Sequence, residues 1–297
     1  MTDNSFAAAH SSPNYDKLCD PADPASSEAA LRELLPSSGD SRAELLTVIA
    51  RVQGQQKKFA DANASLAESE KLLQDPESTY RVSTRIRWLL EKGRIQNLER
   101  IPSQARNSFI EAWTLAVNSG EDDLAVDVAQ MMAAIEPMKA QQDWIARAVQ
   151  IAESSPQDQP KRRLGTLYAV QAWRHFDVRQ YEKSLEVFQK ALSHLKSNGS
   201  PREAFVAKWS VGKVLRALNR TEEALTLQKS LLSELGIGGP RDGRVFEELA
   251  ECLQTLKRSA EAQPYFGLAY EELSKDEWLM DNQAGQLKRL KELGKVK

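Results

Sequence analysis

The sequence predicts an all-α protein, a solenoid of about six helix pairs. From Ser41 onward apolar residues recur at three- and four-residue steps almost to the end, and nothing alternates with period two. Helix breakers such as Asp75-Pro76 and Ser155-Pro156 arrive at regular intervals along the chain. A small-large-small pattern recurs between those breakers, and such a period is typical of repeat arrays.

The order of segments follows from composition. Residues 1–27 contain few apolar side chains and several prolines, which predicts a disordered tail. Residues 28–40 are expected to form a short amphipathic helix and a linker. The repeat array is expected over residues 41–275. Residues 276–297 carry acidic residues early, basic residues late and one apolar face, which predicts a helix that caps the array.

The repeat is defined by a small residue in the second helix of each pair, followed four residues later by a large one. Twelve residues earlier, in the first helix, stands another small residue, because two helices approach closely only where small side chains face each other. In five of six copies this residue is Gly or Ala, and Val128 is the exception. The markers of the second helices, spaced by 43, 35, 44, 40 and 38 residues, are Ala62, Ala105, Ala140, Ser184, Ala224 and Ala262.

The pattern resembles the tetratricopeptide repeat, most clearly where Phe246, Leu249, Ala250 and Leu253 precede Ala262. The resemblance covers most of the chain and implies a right-handed superhelix. The chain also resembles uncharacterised bacterial-type tetratricopeptide proteins. The mean spacing of about 40 residues exceeds the usual 34, so HEAT or armadillo repeats are the structural alternative.

Composition argues against several function classes. The 40 basic and 42 acidic residues give a net charge of -2, which does not favour nucleic-acid binding. No apolar stretch is long enough for a membrane span and no secretory signal is evident, so a cytoplasmic protein is expected. Three histidines and two distant cysteines, Cys19 and Cys252, form no catalytic or metal-ligand pattern. We therefore expect no enzyme, cofactor or metal.

The resemblance also implies a binding surface, because certain first-helix positions face the concave groove in this family. Arginine and tryptophan contribute most strongly to protein interfaces. The alternative is that the longer repeats shift the register, so that the two tryptophans pack between neighbouring first helices. The predicted partner-binding residues are Arg87, Arg94, Asn97, Trp173, Trp209, Lys213 and Arg216.

The predicted function is that of a scaffold for protein-protein interaction. Its expected partner is an extended or helical segment of another protein that carries acidic and aromatic residues. A regulatory sensor that binds a small ligand or signalling peptide and changes curvature is the main alternative. A chaperone tail is a minor hypothesis, because the full set of carboxylate-clamp residues is missing.

Overall fold

The computed structural model describes residues 15–38, 41–75, 80–236 and 241–296, and the regular structure within these ranges is entirely helical. The chain divides into two units, Met1–Pro160 and Lys161–Lys297. The α-helices of the described ranges are α1 (Pro24–Glu33), α2 (Arg42–Gln55), α3 (Phe59–Leu73), α4 (Val82–Leu98), α5 (Pro102–Ser119), α6 (Asp122–Ile135), α7 (Met138–Ser154), α8 (Asp158–Arg162), α9 (Leu164–Asp177), α10 (Tyr181–Asn198), α11 (Pro201–Ala217), α12 (Thr221–Leu235), α13 (Gly243–Thr255), α14 (Ser259–Leu273), α15 (Glu277–Asn282) and α16 (Ala284–Gly294).

Six helix pairs account for most of these elements. In the first unit α2 packs on α3, α4 on α5 and α6 on α7. In the second unit α9 packs on α10, α11 on α12 and α13 on α14. The prediction of an all-α solenoid with about six helix pairs is confirmed.

The core of each pair lies where the predicted small and large positions meet. Phe109, Phe188 and Phe266 occupy the large position of their second helices and are at most 1% exposed. Gly93 of α4 lies directly under the Phe109 ring, since a methyl group on Gly93 would come within 2.5 Å of ring atom Cε1. The absence of a side chain at Gly93 therefore lets α4 and α5 approach closely.

The turn between the helices of a pair has the same geometry in five of the six copies. A residue with φ between 60° and 63° stands five positions before each marker, and its successor donates a backbone hydrogen bond to the carbonyl five residues earlier. This is the left-handed cap that ends many helices, and here residues other than glycine adopt it. The third pair instead turns through the extended Glu136 and Pro137. The five residues are Lys57, Arg100, Arg179, Asn219 and Lys257.

The N-terminal segment differs from the expected tail. Residues 1–14 lie outside the described residues, but over residues 15–27 the chain is ordered, and Tyr15 is 6% exposed where it packs against α2. Helix α1 begins at Pro24, whose missing N–H costs nothing in a first turn, and the side chain of Asp23 caps it. This segment covers the apolar face of α2, which terminal repeats need.

The C-terminal capping segment consists of two helices where one was expected. The chain breaks at Gln283, between α15 and α16. Leu290 of α16 is fully buried against the last pair, whereas Trp278 of α15 is 60% exposed. Trp278 therefore does not share the buried face of α16.

Candidate functional site

A cavity opens among the first helices α2, α4 and α6 of the first unit. Its volume is about 410 Å³, within the range usual for ligand sites. Charged and polar groups line one part, and apolar side chains line the rest. The lining residues are Arg51, Gly54, Gln55, Glu91, Arg94, Ile95, Asn97, Leu98, Phe109, Met131, Ala134 and Ile135.

Glu91 is the buried charge of this cavity, with a side chain 0% exposed. Its Oε1 accepts a hydrogen bond from Arg51 Nε at 2.8 Å and a second from Arg94 Nη1. Its Oε2 is buried and has no hydrogen-bond partner among the described residues. The Glu91 charge raises the pKa of Arg51 above its usual value, so that guanidinium stays cationic. Buried polar atoms are almost always satisfied, which makes Oε2 an exception that needs an explanation.

Two predicted residues, Arg94 and Asn97, line this cavity. Arg94 is held from three sides: by Glu91, by the Met131 sulfur at 3.4 Å from Nε, and by Asp127 at 3.9 Å from Nη2. Asn97 is exposed at the end of the same helix. Both residues therefore lie where a ligand of the cavity could contact them.

The third predicted residue of the first unit, Arg87, does not line the cavity. It forms ion pairs with Asp16 and Glu44, each at 3.3 Å. Asp16 also accepts a hydrogen bond from Arg51 at 2.8 Å, so one carboxylate of the N-terminal segment bridges two arginines. Sequence reasoning missed Asp16 because it fell in the segment expected to be disordered.

In the second unit the two predicted tryptophans pack on one another and on the core. The ring of Trp173 lies 5.0 Å from Phe188, 5.4 Å from Phe176 and 6.0 Å from Trp209. Trp209 donates its indole N–H to the carbonyl of Arg244, on the next first helix, at 3.1 Å. Both side chains are half-buried, which is the packing that the register-shift alternative describes.

The predicted basic residues of the second unit are also paired within the chain. Arg216 binds both carboxylate oxygens of Glu248, at 2.8 and 2.9 Å, and Lys213 lies 3.7 Å from the same group. Burial lowers the pKa of Arg216, but the hydrogen bonds that Arg216 donates to Glu248 and the charge of that carboxylate outweigh it, and the pKa is raised. The Lys213 ammonium also lies 5.2 Å from the Trp209 ring centre.

The C-terminal helix engages the next acidic residues of this surface. Gln286 donates a hydrogen bond to Glu247, and Arg289 forms an ion pair with Glu251. The acidic residues of α13, the first helix of the sixth pair, are thus bound by polar and basic side chains of α16. The acidic and basic side chains of the second unit largely satisfy one another.

The described part of the chain holds no group of three or more metal-ligating side chains that could bind an ion. Within the same ranges, no helix combines the length and the apolar character needed to cross a membrane.

Comparisons with known proteins identify the fold. No family model and no curated protein matches the sequence. A signal transduction ATPase with a tetratricopeptide repeat sensor from Pyrococcus horikoshii matches with a TM-score of 0.70 at 14% identity, over 90% of this chain and 41% of that one. The apo form of RapI matches with a TM-score of 0.69 at 12% identity, over 89% of this chain and 75% of that one. This chain has the tetratricopeptide repeat fold.

A third tetratricopeptide-like neighbour is the quorum sensor NprR from B. thuringiensis. Its apo form matches with a TM-score of 0.58 at 12% identity, over 93% of this chain and 78% of that one. NprR in complex with its cognate peptide NprX matches with a TM-score of 0.50 at 13% identity, over 93% and 81%. At these identities the neighbours show the fold alone.

The long repeat spacing left HEAT or armadillo repeats open as an alternative, and the tetratricopeptide fold of the neighbours answers that question. The extra length is accommodated by long helices, which reach 18 residues in α5 and α10. HEAT and armadillo repeats are therefore not needed to explain it. The chain spans less than half of the Pyrococcus protein, namely 41% of its length.

Proposed function

We propose that this chain binds a peptide segment of another protein on the first helices of its pairs, and that the cavity among α2, α4 and α6 anchors the segment. The observation that carries the proposal is the cavity of about 410 Å³, which combines an apolar wall with Arg94 and Asn97. Pockets of this kind, mostly apolar with a few convergent polar groups, are the usual form of ligand sites.

The structural neighbours support a peptide ligand. NprR has been solved with its cognate peptide, and its fold resembles that of this chain. We infer by analogy a non-enzymatic binding protein of the cytoplasm. Its partner would be a segment with acidic and aromatic or other apolar residues, because arginines border the apolar wall of the cavity.

A separate contact surface is proposed in the second unit, at Trp173, Trp209, Lys213 and Arg216. Each of these side chains already has a partner within the chain, so a ligand there must compete with Glu248 or with aromatic packing. Competition of this kind costs binding energy. Arg94 of the first unit is also paired, but the cavity beside it leaves about 410 Å³ open to a ligand, and it is for that reason the preferred site.

The sensor alternative has support of its own. The Pyrococcus protein carries a tetratricopeptide repeat sensor, and NprR is a quorum sensor. A sensor of this type would change its scattering radius when the peptide binds. A scaffold would bind the same peptide at constant radius.

The test uses a filled cavity and a matched control. Ala134 is exposed and lines the cavity, so Ala134→Trp places a large ring there and replaces no side chain that forms an ion pair. Ala64 is exposed on α3, a second helix, and Ala64→Trp is the same change away from the cavity. Peptides are first selected from a random display library on the wild-type chain.

Calorimetry then measures the affinity of the selected peptides for all three proteins. We expect Ala134→Trp to weaken binding at least about tenfold and Ala64→Trp to leave it unchanged, with equal circular dichroism and melting. Equal affinity for Ala134→Trp would place the site elsewhere and refute the proposed anchor. A library that yields no binder would contradict peptide binding itself.

A further inference from the structure

The segment Tyr15–Leu18 contacts the first helices of the first two pairs. Its four residues form one turn of 3₁₀-helix ahead of α1. Asp16 accepts a hydrogen bond from Arg51 of α2 at 2.8 Å and another from Arg87 of α4 at 3.3 Å. Because Arg51 also lines the cavity, this segment occupies the surface directly beside the proposed anchor.

Two side chains attach the segment to the repeats. Tyr15 is 6% exposed and packs in an apolar cluster with residues of α2 such as Val48. Asp16 forms the ion pairs with the two arginines, yet its side chain is 40% exposed. Ion pairs as exposed as this one contribute little to stability. The segment is thus held by one aromatic ring and one exposed carboxylate, which a competing ligand can replace.

Three carboxylates of the chain pair with Arg51 or Arg87, and they differ in burial. The side chain of Glu91 is 0% exposed, that of Glu44 is 16% exposed and that of Asp16 is 40% exposed. Both glutamates stand inside α-helices, whereas Asp16 stands in the four-residue turn. Asp16 is therefore the carboxylate that can leave while the arginines keep their other partners, and its place can be taken by a carboxylate from outside.

The remainder of the N-terminal segment is attached independently of this turn. The backbone N–H of Asp20 donates to the Ser27 hydroxyl at 2.8 Å, and Leu31 of α1 is 0% exposed in the cluster with α2. Departure of residues 15–18 would therefore leave α1 on the apolar face of α2. Cys19 connects the two parts, and its partly buried thiol donates to the Tyr15 carbonyl at 3.8 Å.

We propose that Tyr15-Asp16 is a built-in competitor of the partner. The surface that holds it would accept a segment in which an acidic residue directly follows an aromatic one, and this segment would displace residues 15–18 when it binds. Its ring takes the place of Tyr15, and its carboxylate pairs with Arg51 and Arg87. Since the chain presents its own pair at a high effective concentration, it weakens binding of the partner. This inference rests on the proposed peptide-binding function and names the residue pair that the partner presents beside the cavity.

A peptide copied from the chain tests whether the surface accepts this pair from outside. The acidic probe has the sequence of residues 15–20 with Cys19→Ser, blocked termini and a fluorescein label. A second probe is identical except for Asp16→Asn. Fluorescence anisotropy measures the binding of each probe to the full-length wild type and to full-length Tyr15→Ala/Asp16→Asn, whose own segment lacks both groups. Asp143→Asn, which neutralises an exposed carboxylate on α7, is the matched control.

We expect the acidic probe to bind Tyr15→Ala/Asp16→Asn at least about tenfold more tightly than the wild type or Asp143→Asn, because the competitor within the chain is removed. The Asp16→Asn probe should bind this variant at least about fivefold more weakly than the acidic probe, since a carboxylate pairs with two guanidinium groups and an amide does not. If the double variant fails to fold, the single variant Asp16→Asn changes an exposed side chain and should still give a gain of at least about threefold.

The reactivity of Cys19 tests whether the segment leaves the surface. Iodoacetamide labelling followed by mass spectrometry should modify Cys19 at least about fivefold faster when the acidic probe saturates the wild-type chain, because the thiol becomes accessible. Cys252 is 0% exposed and serves as the internal standard, whose rate should not change. A segment that serves only as a fixed cap would leave the Cys19 rate unchanged.

Three results would overturn the inference. One is an acidic probe that binds the double variant no better than the wild type, or binds neither. Another is equal affinity of the two probes for the double variant, which would mean that the arginines select no carboxylate. The third is a Cys19 rate that stays constant at saturation. The proposed cavity anchor is tested separately by Ala134→Trp with the library peptides, so either proposal can fail while the other stands.

Discussion

Gly93 tests whether the small residue of the first helix is what allows the pair to close. Gly93→Ala adds one methyl group in the middle of α4. That methyl would lie 2.5 Å from Cε1 and 2.6 Å from Cδ1 of Phe109, closer than carbon atoms approach without displacement. Phe109 is 1% exposed and lines the cavity of the first unit, so its rigid ring must shift toward that cavity to make room for the methyl group.

Two opposing effects set the size of the change. Overpacking a core by one methyl group typically costs about 1–3 kcal/mol, and contacts as short as 2.5 Å to a rigid ring favour a value of about 3 kcal/mol. Replacing Gly by Ala inside a helix contributes about 1 kcal/mol in the other direction. We therefore expect Gly93→Ala to lower the free energy of unfolding by about 2 kcal/mol.

Gly285→Ala is the matched control, because no atom lies within 4 Å of the added methyl group in α16. It should raise stability by up to about 1 kcal/mol. Urea unfolding followed by circular dichroism measures both variants, with the midpoint compared at unchanged slope. A Gly93→Ala protein as stable as the wild type would refute the close-approach argument. Partial rescue by Phe109→Leu in the Gly93→Ala background would support it.

Three further predictions follow from the ionisable groups. Burial alone would raise the pKa of Glu28, but hydrogen bonds from four side chains lower it to about 2. Glu28 therefore contributes about 3 kcal/mol to the free energy of unfolding, and this contribution is complete above pH 5 and lost on acidification to pH 2. The acid unfolding of Glu28→Gln should lack this component, and a pH profile identical to that of the wild type would contradict the prediction. Asp16→Asn removes the carboxylate that pairs with Arg51 and Arg87, so it should tighten the binding of an acidic peptide to the first unit, and more so at low salt. Calorimetry at two ionic strengths measures this change, and an affinity equal to that of the wild type would refute the prediction. Burial raises the pKa of Cys252 to about 12, so Ellman's reagent at pH 8 should leave this thiol unmodified until the chain is denatured.

The helix pairs could be predicted from the sequence because each pair is local. Gly93 and Ala105 are twelve residues apart, and their spacing recurs in every copy, so periodicity identifies the contact between first and second helices. The left-handed turn residues recur with the same period, but their residue types, such as arginine at Arg100, do not indicate a left-handed conformation. Lysine and arginine are unusual in this conformation, and only the pair geometry requires it there.

The ion pairs of the candidate site could not be predicted in the same way. Arg51 and Glu91 lie 40 residues apart, on different pairs, and a charge can find its partner at several positions of a neighbouring helix. Basic first-helix residues were therefore predicted as free to bind a partner, while the structure gives Arg87, Lys213 and Arg216 acidic neighbours from the same chain.

The difference between the two units comes from side-chain volume at equivalent first-helix positions. Gly54, four residues after Ala50, lines the cavity of the first unit. The equivalent position after Ala172 holds Phe176, whose ring packs on Trp173. At this position an aromatic ring of the second unit therefore occupies the place that glycine leaves open in the first unit. Arginine and tryptophan on a first helix do not by themselves distinguish a binding surface from internal packing. The distinction lies in which volumes stay open after the neighbouring pairs have packed, and in the first unit the cavity among α2, α4 and α6 is such a volume.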